Sequence, residues 1–391
     1  MILLLAGLLE RHDFRLLLVT WAALQGLFYL SLSRGVQYVI ASLAMPSAEL
    51  PLILEMLAAI RENTFSSRKL AGIAQRLGLA CDGLTSLRNL ILFLEQRTRR
   101  QGFLPLAYCL LWGTQFSMAV ERWRRRHRGS VLEWIETLGE FEALMCIATY
   151  SFEHPGDPFP EIAAEPFGIF ARGIAHPLLD ETVAIRNDVE LNRDVRFLVI
   201  SGSNMSGKST FLRALGLNAV LSFMGAPVRC AELRLVPMTI AAAIRVEDDL
   251  PGGKSRFFAE MLRLNDMVTR AREEPLLFLV DEIMSGTNSE DRRVASQCVI
   301  EALVSSCAIG VVSTHDLSLT EMASGNGKGR NFHFRDIGEQ GEMRYDYRMY
   351  SGVIKRSNAL NIARLLGLDV PSFPSALKNS LSRDDKPEST T

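Results

Sequence analysis

Apolar positions recur at helical spacing through the first 150 residues. Leu70, Ile73, Ala74 and Leu77 share one face before Gly78 punctuates the run. Leu84, Leu87, Leu90, Ile91 and Leu94 make a second stripe, and Val131, Trp134, Ile135 and Leu138 a third. These stripes predict an all-α domain over 61–150, its faces turned toward one another. Upstream, residues 1–60 form apolar N-terminal helices carrying only seven Asp, Glu, Lys or Arg, and 16–33 carry none. Eighteen helical residues span about 27 Å, just short of a hydrocarbon core of about 30 Å. Thr20, Gln25, Gly26, Ser31 and Ser33 interrupt the stretch, and Arg11, Arg15 and Arg34 flank it too evenly to orient a span. Membrane segment and core helix stand as equal readings of 16–33. No basic leader precedes residues 2–5, which speaks against a cleaved signal peptide.

Farther along, His154-Pro155-Gly156-Asp157-Pro158 and Pro160 break any helix and open a linker over 151–194. From 195 to 370 short apolar runs alternate with helical periods, the pattern of an α/β domain with a mostly parallel sheet; 371–391 form a polar tail. At 391 residues, 48% hydrophobic and 22% charged, the chain predicts two domains or three. The balance of 43 basic against 44 acidic residues excludes affinity for nucleic acid or membrane through bulk charge, so such contacts need a local patch. One candidate patch is Arg122, Arg124, Arg125, Arg126, His127 and Arg128, with Arg97, Arg99 and Arg100 nearby in sequence. It reads first as the solvated end of a helix, and second as a grip on DNA phosphates or anionic lipid head groups. Six cysteines without a C-x-x-C pair predict neither a zinc site nor a disulfide framework, and so a reducing, cytoplasmic setting.

The strongest chemical signal is Gly202-Ser203-Asn204-Met205-Ser206-Gly207-Lys208-Ser209, a full G-x-x-x-x-G-K-[ST] phosphate loop. The apolar run 197–200 before it reads as a buried strand, and 210–220 after it as a helix. The glycines let backbone N–H groups turn inward on phosphate oxygens, and the helix adds its positive end. Lys208 would reach the β- and γ-phosphates, and the Ser209 hydroxyl would ligate Mg²⁺. Thr210 completes the ATP-binding set. A second apolar run, 276–280, ends in Asp281-Glu282, where a central strand delivers ligands to the sheet edge. Asp281 would hold the Mg²⁺ shell, and Glu282 would act as the base on the attacking water. Residues 311–315 look like a third strand ending in His315, a candidate sensor of the γ-phosphate. Asp316 alternatively caps the next helix. The polar loop 286–291 is a plain helix start or a contact across a composite nucleotide site.

These residues resemble the MutS family of mismatch-repair ATPases. The matching motifs are the Ser-Asn-Met-Ser loop interior, Asp281-Glu282 with Gly286-Thr287-Asn288, and Ser313-Thr314-His315-Asp316. Residues 248–261, with Gly252, Gly253 and Ser255, look like the family's signature segment. His176-Pro177-Leu178-Leu179 resembles the start of its ATPase domain, and Gly352 with Ser357-Asn358-Ala359-Leu360 its distal end. The resemblance implies an α/β P-loop NTPase of ABC type preceded by an all-α lever, with ATP and Mg²⁺ as ligands and a homodimer as the working unit. In that dimer Ser255, at the start of a helix striped by Phe258, Met261, Leu262, Asn265 and Val268, would approach the partner's γ-phosphate. ATP would close the dimer and hydrolysis release it.

Two departures accompany the likeness. The mismatch-reading N-terminal domain has no counterpart here, which resembles a divergent MutS-related group. No aromatic stands near Ile185 to Asn187, where the family stacks adenine. Two functions follow: a DNA-coupled ATPase switch of mismatch-repair type, held by the Arg122–Arg128 run, or an ATPase attached to the cytoplasmic face of a membrane through 16–33. A GTPase is the weaker third, since no Asn-Lys-x-Asp guanine motif is present.

Overall fold

The computed structural model describes residues 12–99, 110–203, 205–244, 256–284, 289–315, 318–325, 327–336 and 345–353. The chain divides into two compact units, Met1–Cys146 and Ile147–Thr391.

The first unit is helical: α1 (His12–Ser42), α2 (Ala44–Glu62), α3 (Arg68–Arg99), α4 (Trp112–His127) and the greater part of α5 (Ser130–Glu153). Its core joins Leu54, Leu57 and Ile60 of α2 to Ile73, Leu77, Leu87, Ile91 and Leu94 of α3, with Val120 of α4 and Phe141 of α5. Gly78, read from sequence as a break, lies inside α3. A mid-helix glycine costs only about 1 kcal/mol, and Leu77 and Ala80 around it are both buried. Gly83 has a packing reason instead. A Cβ there would lie 2.5 Å from the Trp134 ring, and its carbonyl accepts a bond from Trp123 Nε1 at 2.9 Å. The third predicted stripe is only partly right, because Ile135 is exposed while Thr137 and Phe141 are buried.

Helix α1 contains the charge-free stretch 16–33. It turns Leu16, Val19, Trp21, Leu24, Leu27, Phe28 and Leu30 outward, Leu24 and Leu27 each 68% exposed. Among the described residues one helical segment, Arg68–Leu94 of α3, is long and apolar enough to cross a membrane. Its Ile73, Leu77, Leu87, Ile91 and Leu94 are all in the core.

The second unit holds two sheets. Strands β1 (Glu161–Ile162), β2 (Ile169–Ile174), β3 (Asn187–Leu191) and β5 (Glu232–Leu235) form one, in the order β1-β5-β2-β3. Only its β1/β5 pair is parallel. The stretch 151–194, predicted as a linker, therefore carries three strands. Their runs are short and crossed by Arg172, Asp188 and Glu190, so apolar patterning does not announce them. The larger sheet contains β4 (Phe197–Ser201), β6 (Thr239–Ala243), β7 (Leu276–Val280), β8 (Ala308–Thr314), β9 (Gly329–Asp336) and β10 (Tyr345–Ser351), in the order β10-β9-β4-β8-β7-β6. All neighbours are parallel except β10/β9.

Every residue of β4, β7 and β8 is buried, as parallel strands covered on both faces must be. Leu198 and Ile200 pack toward α6 (Lys208–Met224) with Phe211, Leu212 and Leu215. Phe197 and Val199 face the opposite cluster, which contains Leu264 and Met267 of α7 (Arg256–Ala271), Ile300 and Leu303 of α8 (Ser289–Ser305), and Leu319 of α9 (Ser318–Gly325). The stripe predicted for α7 is displaced. Phe258 and Leu262 are about half exposed, and the buried face is Glu260, Leu264, Met267 and Ala271.

Candidate functional site

Three neighbouring strands end together. Ser201 pairs with Thr314, and Val280 pairs with Val312. Gly202, Asp281 and His315 therefore emerge along one edge, where ligands of parallel α/β sheets bind. Beyond β4 the loop turns through Gly202 at φ 150°, Met205 at φ 66° and Gly207 at φ 109°. A Cβ on Gly202 would stand 2.9 Å from both the Phe334 carbonyl and Ser206 Oγ, so the loop admits only glycine there. Helix α6 starts at Lys208, and its buried ammonium donates to the carbonyls of Gly202 at 2.9 Å and Ser203 at 2.7 Å. Burial pushes that ammonium below the ordinary lysine range, while Glu282 and then Asp281 draw it back up. Phosphate loop and acidic pair thus lie within electrostatic reach of each other.

Among the described residues, Ser203 Oγ and Ser206 Oγ are buried without a hydrogen-bond partner. A buried hydroxyl left unsatisfied costs about 1–3 kcal/mol, and phosphate oxygens are the acceptors such a loop is built to meet. Ser209 is half-buried in the first turn of α6, and Thr210 is exposed beside it. Ser209 and Asp281 offer hard oxygens, the donor class that Mg²⁺ takes from one or two side chains together with phosphates. The residues present fit that ion.

The acidic loop is tightly held. Asp281 N–H donates to the Ala243 carbonyl at 2.9 Å. Ser313 Oγ donates to Asp281 Oδ1 at 2.6 Å and accepts from Glu282 N–H at 2.9 Å. Glu282 and Met284 both take left-handed backbone, at φ 54° and 55°. Non-glycine residues there cost of order 1–3 kcal/mol each, and such strain gathers at functional sites. Glu282 Oε1 accepts from His315 Nε2 at 2.8 Å, which joins two of the predicted residues directly. Asn204, Gly252, Gly253 and Ser255 lie outside the described residues, as do Gly286, Thr287, Asn288 and Asp316.

Sequence reasoning missed the neighbouring cavity of about 270 Å³. Gly207, Thr210 and Phe211 of the loop and α6 form one wall, His176, Val183 and Ile185 another, and Asn187 with Tyr347 a third. Tyr347 sits on β10 at φ 53°. Asn187 holds it there, donating from Nδ2 to the Tyr347 carbonyl at 3.0 Å and accepting from Met349 N–H at 2.7 Å. An aromatic wall for this cavity thus comes from Tyr347, 160 residues downstream of Asn187, and no local pattern marks it. His176 is held below the ordinary histidine range, by burial first and by the Arg213 guanidinium second.

The basic run ends α4. Arg124 donates to Ser42 Oγ at 2.6 Å and lies 3.8 Å from Glu121, which Arg125 also approaches at 3.6 Å. Arg122, Arg126 and Arg128 are exposed. His127 is withdrawn from the patch, its ring stacked on Trp123 at 4.7 Å.

Comparison with known proteins agrees with this geometry. The MutS domain V family, a P-loop ATPase-type domain, matches residues 198–379. The DNA mismatch repair protein MutS of Shouchella clausii is 32% identical over 238 residues, covering 59% of this chain and 27% of that protein. Its namesake from Geobacillus thermodenitrificans is 31% identical over 242 residues, 60% of this chain and 26% of the relative. DNA mismatch repair protein MutS 2 of Halobacterium salinarum is 29% identical over 282 residues, 71% of this chain and 31% of its own. A match of that length cannot fit within the second unit, Ile147–Thr391, and so takes in part of the helical unit. The matched region spans less than a third of each of these relatives. Phosphate loop, acidic strand end, His315 and the match over domain V lead to one statement: residues 198–379 carry a domain of the MutS domain V family, and the chain is similar to MutS proteins over about 60% of its length.

Proposed function

We propose that this chain is a Mg²⁺-dependent ATPase whose nucleotide drives a dimeric switch coupled to DNA. The observation that carries the reading is the convergence of Lys208 with Asp281 and Glu282 at one sheet edge, with Glu282 oriented by His315. A triphosphate would draw Lys208 from the carbonyls of Gly202 and Ser203 and accept from the backbone and hydroxyls of 202–209. The cavity beside Gly207 and Tyr347 would take the base. Ser209 and Asp281 would hold Mg²⁺, which when bound neutralises charge on the phosphate oxygens. Glu282 would take a proton from the attacking water as its oxygen bonds to the γ-phosphorus and the bond to the ADP oxygen breaks. His315, with its N–H toward Glu282, would keep that carboxylate aimed. In the dimer, Gly252, Gly253 and Ser255 of one protomer would approach the partner's γ-phosphate.

Glu282→Gln tests the base. It should bind ATP as wild type does, lose nearly all turnover, and accumulate dimers in ATP by sedimentation; wild-type turnover would refute the assignment. The DNA arm rests on relatives whose names describe mismatch repair and on exposed Arg122, Arg126 and Arg128. Affinity for a mismatched duplex should fall steeply with salt. Replacing all five arginines from Arg122 to Arg128 with Ala should abolish it, and salt-insensitive binding would count against the contact.

One observation favours a second reading, membrane attachment. The charge-free part of α1 exposes Leu16, Val19, Leu24, Leu27 and Leu30, and a helix apolar on its outward faces seeks a partner or lipid. Flotation with anionic vesicles that is lost on Leu24→Asp/Leu27→Asp would support it; a full-length chain that stays unbound would not.

A further inference from the structure

Glu260 is a buried carboxylate beside the site that the proposed chemistry leaves unused. It lies in the second turn of α7, 4% exposed, and its Oε1 accepts from the Met284 backbone N–H at 2.6 Å. Burying a carboxylate is costly unless a strong bond compensates, and a charge-assisted bond this short is of that kind. Its partner is not an ordinary loop amide. Met284 and Glu282 are both left-handed, with Ile283 between them, and the side chains of Ile283 and Met284 are buried in the core that α7 and α8 share.

Amide hydrogen bonds to three neighbouring elements hold this turn. Asp281 N–H goes to Ala243 of β6, Glu282 N–H to Ser313 of β8, and Met284 N–H to Glu260. The first two anchor the turn to neighbouring strands. The third anchors its far side to a helix, and α7 is itself pinned to β6 where Arg263 Nε donates to the Ala242 carbonyl at 2.7 Å. Two residues before Met284 the chain carries the carboxylate that accepts from His315.

We propose that Glu260 is a positioning residue for hydrolysis: by holding the Met284 amide it keeps the turn in which Glu282 and Met284 are left-handed, and so aims the Glu282 carboxylate. This rests on the reading of Glu282 as the base. The bond also gives α7, whose first turns are the end of the signature-like segment 248–261, a mechanical hold on the acid of its own protomer. Movement of that helix would reach Glu282 through one hydrogen bond.

The test uses the full chain with Glu260→Ala and Glu260→Gln, each checked for folding by circular dichroism. Two quantities are read: ATP turnover with nucleotide affinity, and amide hydrogen exchange of peptides spanning residues 281–284. Loss of aim at a catalytic group costs about a hundredfold in rate. Glu260→Ala should therefore lower kcat by about that factor with ATP Kd unchanged, and speed exchange in those peptides. Gln keeps an acceptor oxygen at the same reach, so Glu260→Gln should restore most of the turnover and the protection. Unchanged exchange in Glu260→Ala overturns the inference, as does unchanged kcat in an active chain, or Gln failing as badly as Ala. If wild type and Glu282→Gln are alike inactive on ATP, the functional reading fails and this one with it. An active wild type beside a fully active Glu260→Ala sinks this inference alone.

Discussion

Tyr347 offers the sharpest test of the cavity as a base site. Its ring stands against Gly207, where an added Cβ would lie 3.1 Å from Cδ1, and the residue is 46% exposed. A tyrosine buries about 150–250 Å² when fully covered, so the open half leaves about 100 Å² for a ligand. At about 25 cal/mol per Å² that area is worth about 2.5 kcal/mol, an upper bound. Base stacking on an aromatic, at about 1–3 kcal/mol by alanine substitution, gives the same range. Tyr347→Ala should therefore weaken ATP binding about 5- to 150-fold. No backbone relief offsets the loss, because alanine meets the same left-handed conformation, still held by Asn187. Tyr347→Phe should keep nearly all the affinity. The assay is displacement of a fluorescent ATP analogue by ATP and, separately, by inorganic tripolyphosphate. Only ATP carries a base, so only ATP should weaken. Equal losses for both competitors, or none for ATP, would refute the placement.

Two further outcomes rest on the same unit. Arg229 and Asp157 form a buried ion pair at 3.4 Å, with side chains only 7% and 3% exposed. Arg229→Met leaves the carboxylate uncompensated and should cost about 3–5 kcal/mol, whereas pairing it with Asp157→Leu should recover most of that; calorimetric melting of the single and double variants decides. His176 is held below the ordinary histidine range by burial, so the folded state binds its proton later than the unfolded chain does. Its contribution is complete above the unfolded value, about 6.5, and declines as pH falls through that value toward the lowered folded one. Urea titrations should find His176→Gln less sensitive than wild type between pH 8 and 5.5, and parallel curves would reject this.

What the sequence made legible follows from range. The strands β4, β7 and β8 are buried on both faces, so their continuous apolar runs stand out from any alternation. The phosphate loop is contiguous, and its glycines are required by the backbone itself. Tyr347 and Asn187 were invisible because they meet only after β10 is laid beside β9, across 160 residues. The face of α7 was misplaced for a related reason. Hydropathy assigns Glu260 to solvent, yet its bond to Met284 N–H draws the carboxylate inward and rotates Phe258 and Leu262 outward. A polar group buried for a specific bond defeats periodicity, and here it does so beside the acidic loop.

A switch needs more than a good binding site. On the proposed reading Lys208 and the loop amides sit in one protomer and would hold the phosphates whether or not a partner is present, so they would set affinity without favouring either state. A ligand bound equally to two states shifts neither, and moving 1:99 to 99:1 takes about 5.5 kcal/mol of preference. That preference must come from groups that reach the phosphate only in the closed dimer, and Gly252, Gly253 and Ser255 of the signature-like segment are the candidates. Bonds to charged groups contribute about 1.5–3 kcal/mol each, so two to four of them suffice. Lys208→Ala should then abolish ATP binding and closure together. Ser255→Ala should keep ATP affinity within the monomer yet reduce ATP-induced dimerisation, measured by sedimentation velocity at fixed protein concentration. If Ser255→Ala dimerises with ATP as wild type does, the preference lies elsewhere and the trans contact is not what closes the pair.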